Sequence, residues 1–466
     1  MLVQQLYTNC LSEAAYFIAD NGEAAVVDPL RDIDAYIKLA EEHKVKIKYI
    51  FETHFHADFV SGHLDLAKKT GATIIYGPQT NASFDIHMAK DGEEFQIGKV
   101  KIKTLHTPGH TLESTCYLLI ESNDNPYCIF TGDTLFVGDV GRPDLFSGSL
   151  SKEDLAGMMY ESLNKKIKTL PDHVIVYPAH GPGSACGKNL GKETFSSIGA
   201  QKATNYALRE QTKEEFIQAV TDGLNAPPAY FPINAELNAK GYESLDTVME
   251  KSMKALTVAE FIEAENAGAW ILDTRPSTVF TEGFIPHAIS IGLDGRFAEF
   301  AGGLLPFHQP LILVTDAGKE EETVVRLARV GFDKVQGYLK GGFEAWKEAG
   351  KRTDMIVDIE PEELAMDIPF DDKLQVLDVR KVGEYDAGHI KNAQNIPLSE
   401  LIDPLNMAQV DDEANLYVHC AGGYRSVIAC SILKKEGFHN LRNVLGGFGK
   451  MSQVDKMPLA LPKKAS

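Results

Sequence analysis

The chain has 466 residues, 44% hydrophobic and 24% charged, the balance of a folded water-soluble protein; at about 150 residues per domain this length predicts roughly three domains. Its 46 Lys and Arg against 66 Asp and Glu leave a net charge of −20 with no basic block, which argues against nucleic acid as a partner. No stretch nears the ~20 apolar residues of a membrane span, and the start, MLVQQLYTNCLSEAAYF, has neither the basic opening nor the apolar block of a secretory signal, so no membrane association and a cytoplasmic location are expected.

The first ~190 residues are rich in short apolar strands: AAVVD, IKYIF, TIIYG, the alternating KVKIKTL, CYLLIE, YCIFTG and HVIVYP. Ser151 and Asp154 form the signature of a capping box that opens a helix. A mostly helical stretch follows to about residue 255 and reads as an extension of this first α/β domain, 1–255. Within it, APPAYFPINAELNAKG (226–241) has the aromatic and proline content of a pocket wall, a composition that core packing explains equally well.

The second half repeats itself. ILDTRPSTVFTEGFIPHAISI from Ile271 matches VLDVRKVGEYDAGHIKNAQNI from Val376, with Asp273, Arg275, Gly283 and Ile285 facing Asp378, Arg380, Gly388 and Ile390. GGFEAW at Gly341 and GGFGKM at Gly446 keep the same offset. Two copies of one domain are predicted, 256–357 and 358–466, each alternating strand and helix as a parallel sheet covered by helices.

Four strands of the first domain end in candidate metal ligands. His54, His56 and Asp58 follow IKYIF, His110 follows KVKIKTL through HTPG, Asp133 follows YCIFTG, and His180 follows VIVYPA. Imidazole with carboxylate at strand ends is a first-row transition-metal set. His54, His110 and Asp133 are the expected ligands; His56, Asp58 and His180 either orient them or act as weak donors to a second ion.

In H-x-H-x-D, later His, later Asp and final His, the chain resembles the metallo-β-lactamase superfamily, which implies an αββα sandwich. The segments THFHADF, TPGHT, TGDTLFVGDVGRPD and YPAHG look like the persulfide dioxygenases of that superfamily. That resemblance implies one iron, Fe(II), held by His54, His110 and Asp133. Hydrolases of the superfamily commonly place a metal-binding histidine after the aspartate, and some of the dioxygenases keep one there too; this chain departs from both with Phe59, which has no lone pair to give, so a second ion is left with Asp58, His180 and a bridging Asp133. Two imidazoles and one carboxylate leave positions for substrate sulfur and dioxygen, whose reaction needs a redox-capable metal; zinc, the alternative, is redox-silent. Arg142, in GRPD, is expected either to steady the metal loop or counter an anionic substrate, or to sit in an ordinary salt bridge.

None of the six cysteines, 10, 116, 128, 186, 420 and 430, forms a C-x-x-C pair, so neither a zinc knuckle nor a disulfide framework is expected. Cys420, in VHCAGGYRSVIACSIL, leaves a strand and meets a glycine-rich turn that opens a helix, with Arg425 adjacent; amides around a thiol at a helix start favour its anion, so it is the expected nucleophile. Cys430, inside the helix, is expected to be inert. With LDVR and GHI, this loop resembles the rhodanese sulfurtransferases, in which the cysteine carries sulfane sulfur as a persulfide. By that resemblance Ala421, Gly422, Gly423, Tyr424 and Ser426 cradle the sulfur, with Arg425 beside it. Four residues separate Cys420 from Arg425, whereas the related phosphatases have five, which favours sulfur over phosphate. In the first copy Asp316, in an acidic and shorter loop, is expected in place of the cysteine, making that copy catalytically inert.

The expected architecture is thus an α/β chain, a metallo-β-lactamase sandwich followed by two rhodanese domains. The expected activity oxidises a low-molecular-weight thiol persulfide with O2 to sulfite and free thiol, while Cys420 carries sulfane sulfur to or from thiosulfate. The alternative is a two-zinc, glyoxalase-type thioester hydrolase with rhodanese domains attached. By analogy with relatives, a homo-oligomer, dimer or tetramer, is expected.

Overall fold

A computed structural model describes residues 1–145, 150–224 and 226–460. The chain divides into two compact units, Met1–Val248 with Val325–Phe332, and Met249–Val324 with Asp333–Ser466. Both predicted copies fall largely within the second unit, and the last predicted residues, 461–466, lie outside those described.

The first unit contains two six-stranded sheets. One runs in order through β1 (Leu2–Thr8), β2 (Glu13–Asp20), β3 (Glu23–Val27), β4 (Lys46–Phe51), β5 (Thr73–Tyr76) and β6 (His87–Met88). The other comprises β7 (Glu94–Ile97), β8 (Val100–His106), β9 (Thr115–Ile120), β10 (Pro126–Gly132), β11 (Ile175–Pro178) and β12 (Ser196–Ser197).

The period-two alternation of a strand explains the layering. In β2, Ala14, Tyr16 and Ile18 point between the sheets to join Phe51, Tyr117 and Phe130. Their neighbours Ala15, Phe17 and Ala19 point outward and pack with Tyr36, Ala40 and Leu66 of the helices Asp34–His43 and His63–Thr70. The second sheet does the same: Tyr117 and Leu119 face inward, while Cys116, Leu118 and Ile120 pack on Met159, Leu163 and Phe216. Strands buried on both faces and helices on both outer surfaces make the predicted αββα sandwich. Ser151 and Asp154 close the predicted capping box on the helix Lys152–Ser162.

In the second unit, β13 (Ala255–Leu256), β14 (Trp270–Asp273), β15 (Ile289–Ser290), β16 (Leu311–Val314) and β17 (Val335–Leu339) form a parallel sheet of order β13-β17-β16-β14-β15. The next copy uses β18 (Val357–Ile359), β19 (Leu374–Asp378), β20 (His389–Ile390), β21 (Gln394–Asn395), β22 (Asn415–His419), β23 (Leu441–Val444) and β24 (Leu459–Ala460). Its main sheet has the same order, β18-β23-β22-β19-β21, and β20 pairs with β24. The duplicated LDxR motif has one purpose in both. Arg275 reaches back to Asp273 and to the Gly283 carbonyl, and Arg380 reaches Asp378 and the Gly388 carbonyl, each pair buried.

Candidate metal centre and thiol loop

Four loops deliver the candidate metal-binding side chains. His54 leaves β4; His110 lies between β8 and β9; Asp133 and His180 leave β10 and β11, which are parallel neighbours and so release their ends side by side. Candidate donor atoms of His54, His110 and Asp133 all lie within 4.8 Å of one another, and all three side chains are buried. His110 Nε2 is 3.4 Å from Asp133 Oδ2, and the His54 and His110 rings meet at 90°.

Hydrogen bonds decide which imidazole nitrogen is free. His110 Nδ1 donates to the Arg142 carbonyl at 2.8 Å, because a carbonyl can only accept. The Thr53 hydroxyl donates to Asp28 Oδ2 at 2.8 Å, so at its 3.0 Å contact with His54 Nδ1 it accepts. Both rings therefore keep a lone pair on Nε2, the state a metal ligand needs. Burial, then the neighbouring His56, His110 and His180, hold His54 well below its usual range, which keeps it neutral. Both carboxylate oxygens of Asp133 are buried without a hydrogen-bond partner, a costly state that a bound cation relieves. The residues present fit a metal ion. Gly141 lets the chain turn tightly here: a Cβ on it would stand 2.2 Å from the Asp133 carbonyl oxygen and 2.9 Å from His110 Nδ1.

The other predicted residues separate into two sets. His56 faces away from the triad toward two acids, with Nε2 3.0 Å from Asp28 Oδ1 and 3.4 Å from Glu52 Oε2. Although burial pulls the other way, these carboxylates hold His56 well above its usual range. Glu52 also lies 3.3 Å from His63. Asp58 and His180 stay at the triad: His180 Nε2 is 3.4 Å from Asp58 Oδ2 and 3.6 Å from Asp133 Oδ1, and its Nδ1 donates to the Ser12 carbonyl at 3.1 Å.

Cys186 joins Asp58 and His180, the three donors lying within 4.8 Å of each other. The expectation that a second ion has only Asp58, His180 and a bridging Asp133 is thus corrected: a thiol stands third, and burial, then Asp58 and Asp133, push it well above its usual range. Only proximity in the fold reveals it. Its loop is tied down because Asp139 accepts from the Lys188 and Asn189 amides, both at 2.7 Å.

Arg142 is buried and holds Asp144 through Nε and Nη2, both at 2.7 Å, while its carbonyl fixes His110. Of its expected roles, the salt bridge and the steadying of the metal loop are the ones this geometry displays.

In the second unit, Cys420 follows β22 and the helix Tyr424–Lys435 opens after it. The Gly423 amide donates to Cys420 Sγ at 3.1 Å, and Gly423 has φ +111°, a backbone that favours glycine. Arg425 forms a two-pronged pair with Glu384 at 2.7 and 2.8 Å, so its charge is shared with a carboxylate that the sequence reading missed. Cys430 is buried within the helix and its thiol is pushed up by that burial, as expected of an inert cysteine.

Strand pairing corrects the predicted counterpart of Cys420. Asp378 pairs with His419 in one copy and Asp273 with Val314 in the other, so Thr315, not Asp316, stands where Cys420 does. The loop is not shorter either: Gly318, at φ +81°, matches Gly423, and Glu320 falls at the position of Arg425. A hydroxyl in place of the thiol and a carboxylate in place of the guanidinium still give this copy no sulfur carrier.

Residues 8–180 match the metallo-beta-lactamase superfamily, and residues 257–349 and 360–453 each match the rhodanese-like domain. A solved metallo-beta-lactamase from Staphylococcus aureus is 32% identical with a TM-score of 0.65, the match covering 73% of this chain and 98% of that one. The structure of ETHE1 from Myxococcus xanthus is 30% identical, covering 51% of this chain and all of that one, with a TM-score of 0.43. A probable hydroxyacylglutathione hydrolase of Schizosaccharomyces pombe is 35% identical over 162 residues, 34% of this chain. The match spans 59% of that relative's length, under two thirds. The chain belongs to the metallo-beta-lactamase superfamily, its αββα fold followed by two rhodanese-like domains.

Proposed function

We propose that the protein is a persulfide dioxygenase joined to a sulfurtransferase, working in sulfide oxidation. The observation that carries this reading is the donor set: two imidazoles with free Nε2 atoms and one unpartnered carboxylate gathered at one point. Iron(II) held by His54, His110 and Asp133 would supply the single-electron chemistry that dioxygen needs to react with sulfur. The overall change consumes a thiol persulfide, O2 and water and releases free thiol, sulfite and two protons.

The chain's own residues do the rest. Thr53 and the Arg142 carbonyl keep both histidines turned toward one point, and the buried walls exclude bulk water. At the second site, sulfite attacks the outer sulfur of a Cys420 persulfide; the S–S bond breaks, thiosulfate leaves and Cys420 keeps the electron pair as a thiolate. Tethering both sites raises the local concentration of the shared sulfite. The proposed setting is the cytoplasm, in a homo-oligomer of two or four chains.

Thioester hydrolysis at a two-zinc site is a second reading, favoured by the name of the curated relatives and by the Asp58–His180–Cys186 set. Protein purified without air and analysed for metals, then followed with an oxygen electrode on adding glutathione persulfide, separates the two. About one iron per chain and oxygen uptake with sulfite formation support the dioxygenase. About two zinc ions and thioester cleavage without oxygen overturn it.

A further inference from the structure

Ser426 links Cys420 to a line of polar groups that ends in the first rhodanese-like copy. Cys420 Sγ lies 3.7 Å from Ser426 Oγ, and Ser426 Oγ lies 2.6 Å from Asn443 Oδ1. Asn443 Nδ2 donates to Asp358 Oδ1 at 2.7 Å, and the Thr281 hydroxyl of the first copy donates to Asp358 Oδ2 at 2.6 Å. Thr281 has a second, longer contact, 3.1 Å to the Thr278 carbonyl. Ser426 and Asn443 are 0% and 2% exposed, so water does not substitute for these partners.

The direction of each bond follows from what each group can do. A carboxylate only accepts, so Asn443 must turn its amide nitrogen to Asp358 and its oxygen to Ser426. Ser426 has one hydroxyl hydrogen. It goes to Asn443, over a 2.9 Å alternative at the Gly423 carbonyl, which leaves a lone pair facing Cys420. A lone pair there accepts from the S–H of the thiol and opposes the thiolate. Thr281 holds the Asp358 carboxylate at the far end, and Asp358 thereby holds the orientation of Asn443.

We infer that Thr281, Asp358 and Asn443 are positioning residues that fix the direction of the Ser426 hydroxyl and so set the reactivity of Cys420, giving the first copy a tuning role. This inference rests on the sulfurtransferase reading only for its purpose; the hydrogen-bond line stands on its own geometry. The second copy's sheet alone does not supply it, since Thr281 belongs to the helix Ser277–Glu282 of the first copy. Near the loop, Arg425 is paired with Glu384, Asp378 is paired with Arg380, and His419 Nδ1 contacts the Cys420 carbonyl at 3.2 Å.

The test is the rate at which iodoacetamide alkylates Cys420 as pH varies, read by mass spectrometry of the Cys420 peptide in the full chain, so that alkylation of Cys10 does not interfere. Thr281→Val, Asp358→Asn and Asn443→Leu are compared with the unchanged chain. In Asp358→Asn the amide at 443 is free to flip, and in Asn443→Leu the acceptor is gone; in both the Ser426 hydroxyl loses its fixed direction and divides between the Gly423 carbonyl at 2.9 Å and the sulfur at 3.7 Å. Alkylation at pH 6.5 is expected to rise roughly three- to tenfold in these two, a displacement of the pH midpoint by up to about one unit, and less in Thr281→Val. A rise in Asp358→Asn alone means that only the lost charge of Asp358 acts, and it overturns the inference, as does an unchanged rate in all three. Circular dichroism and the melting temperature check that each variant folds; the near-isosteric Thr281→Val decides if Asn443→Leu does not. Failure of thiosulfate formation alone would count against the sulfurtransferase reading and leave the alkylation result intact.

Discussion

Phe59 packs its ring against the imidazole of His56, centroids 4.3 Å apart and planes inclined by 32°, with both side chains sealed from solvent. Asn238 fixes this pair from below by donating to the carbonyls of His56 and Phe59, both at 2.7 Å. A donor-free ring thus occupies a rigid place beside Asp58. Phe59→His adds a nitrogen there, and metal content after loading with excess zinc is expected to rise from about one ion per chain toward two. Elemental analysis of dialysed protein reads it; an unchanged count would mean that Phe59 is not what limits the number of ions.

Asp28 accepts from the Thr53 amide and hydroxyl, both at 2.8 Å, and faces His56 at 3.0 Å. Asp28→Ala removes all three partners at once and leaves buried donors unpaired. Breaking a buried, hydrogen-bonded charge costs about 3–5 kcal/mol, and losing a group that orients a metal ligand typically weakens the metal ~10–100-fold. Calorimetry should show the loss in the first unit's transition, and competition with a coloured chelator should show the weaker binding.

Cys420→Ser is expected to abolish sulfur transfer to cyanide and leave persulfide-dependent oxygen uptake in place. Adding Thr315→Cys to that variant places a thiol in the matching loop of the first copy. Glu320 stands there at the position of Arg425, and a carboxylate repels an anionic sulfur donor, so transfer should not return. Recovery to more than a few per cent would show that the first copy lacks only its sulfur.

The triad, the Cys420 loop and the repeat are legible in the sequence because each is local. His54, His110 and Asp133 directly follow recognisable strands or turns, and Cys420 and Arg425 share one loop. What stays hidden depends on chains meeting across the fold. Asp28 reaches Thr53 from a neighbouring strand, Cys186 comes to Asp58 on a loop tied by Asp139, and Glu384 meets Arg425 from 41 positions away. The one-residue error at Asp316 has a different origin: the constant offset from Asp273 to Asp378 and from Gly341 to Gly446 already sets Thr315 opposite Cys420, and the pairing of LILVT with β14 agrees.

The Glu384–Arg425 pair gives the thiol loop an acid limit. The hydrogen bond from Arg425 holds the Glu384 carboxyl below its usual range, against the smaller opposing effect of partial burial. A carboxylate whose value is lower in the folded chain binds protons more weakly there than when unfolded. The stability it contributes is therefore complete above its ordinary range, near pH 4.5, and disappears as pH falls through the depressed value. With the Glu384 side chain 37% exposed, solvent screening keeps that contribution under about 1 kcal/mol. Glu384→Gln should therefore lower the melting temperature of the second unit slightly at pH 7, and the gap between the two proteins should close as the pH is taken down toward 3. A gap that persists or widens toward acid would show that the pair is not what links this loop to pH.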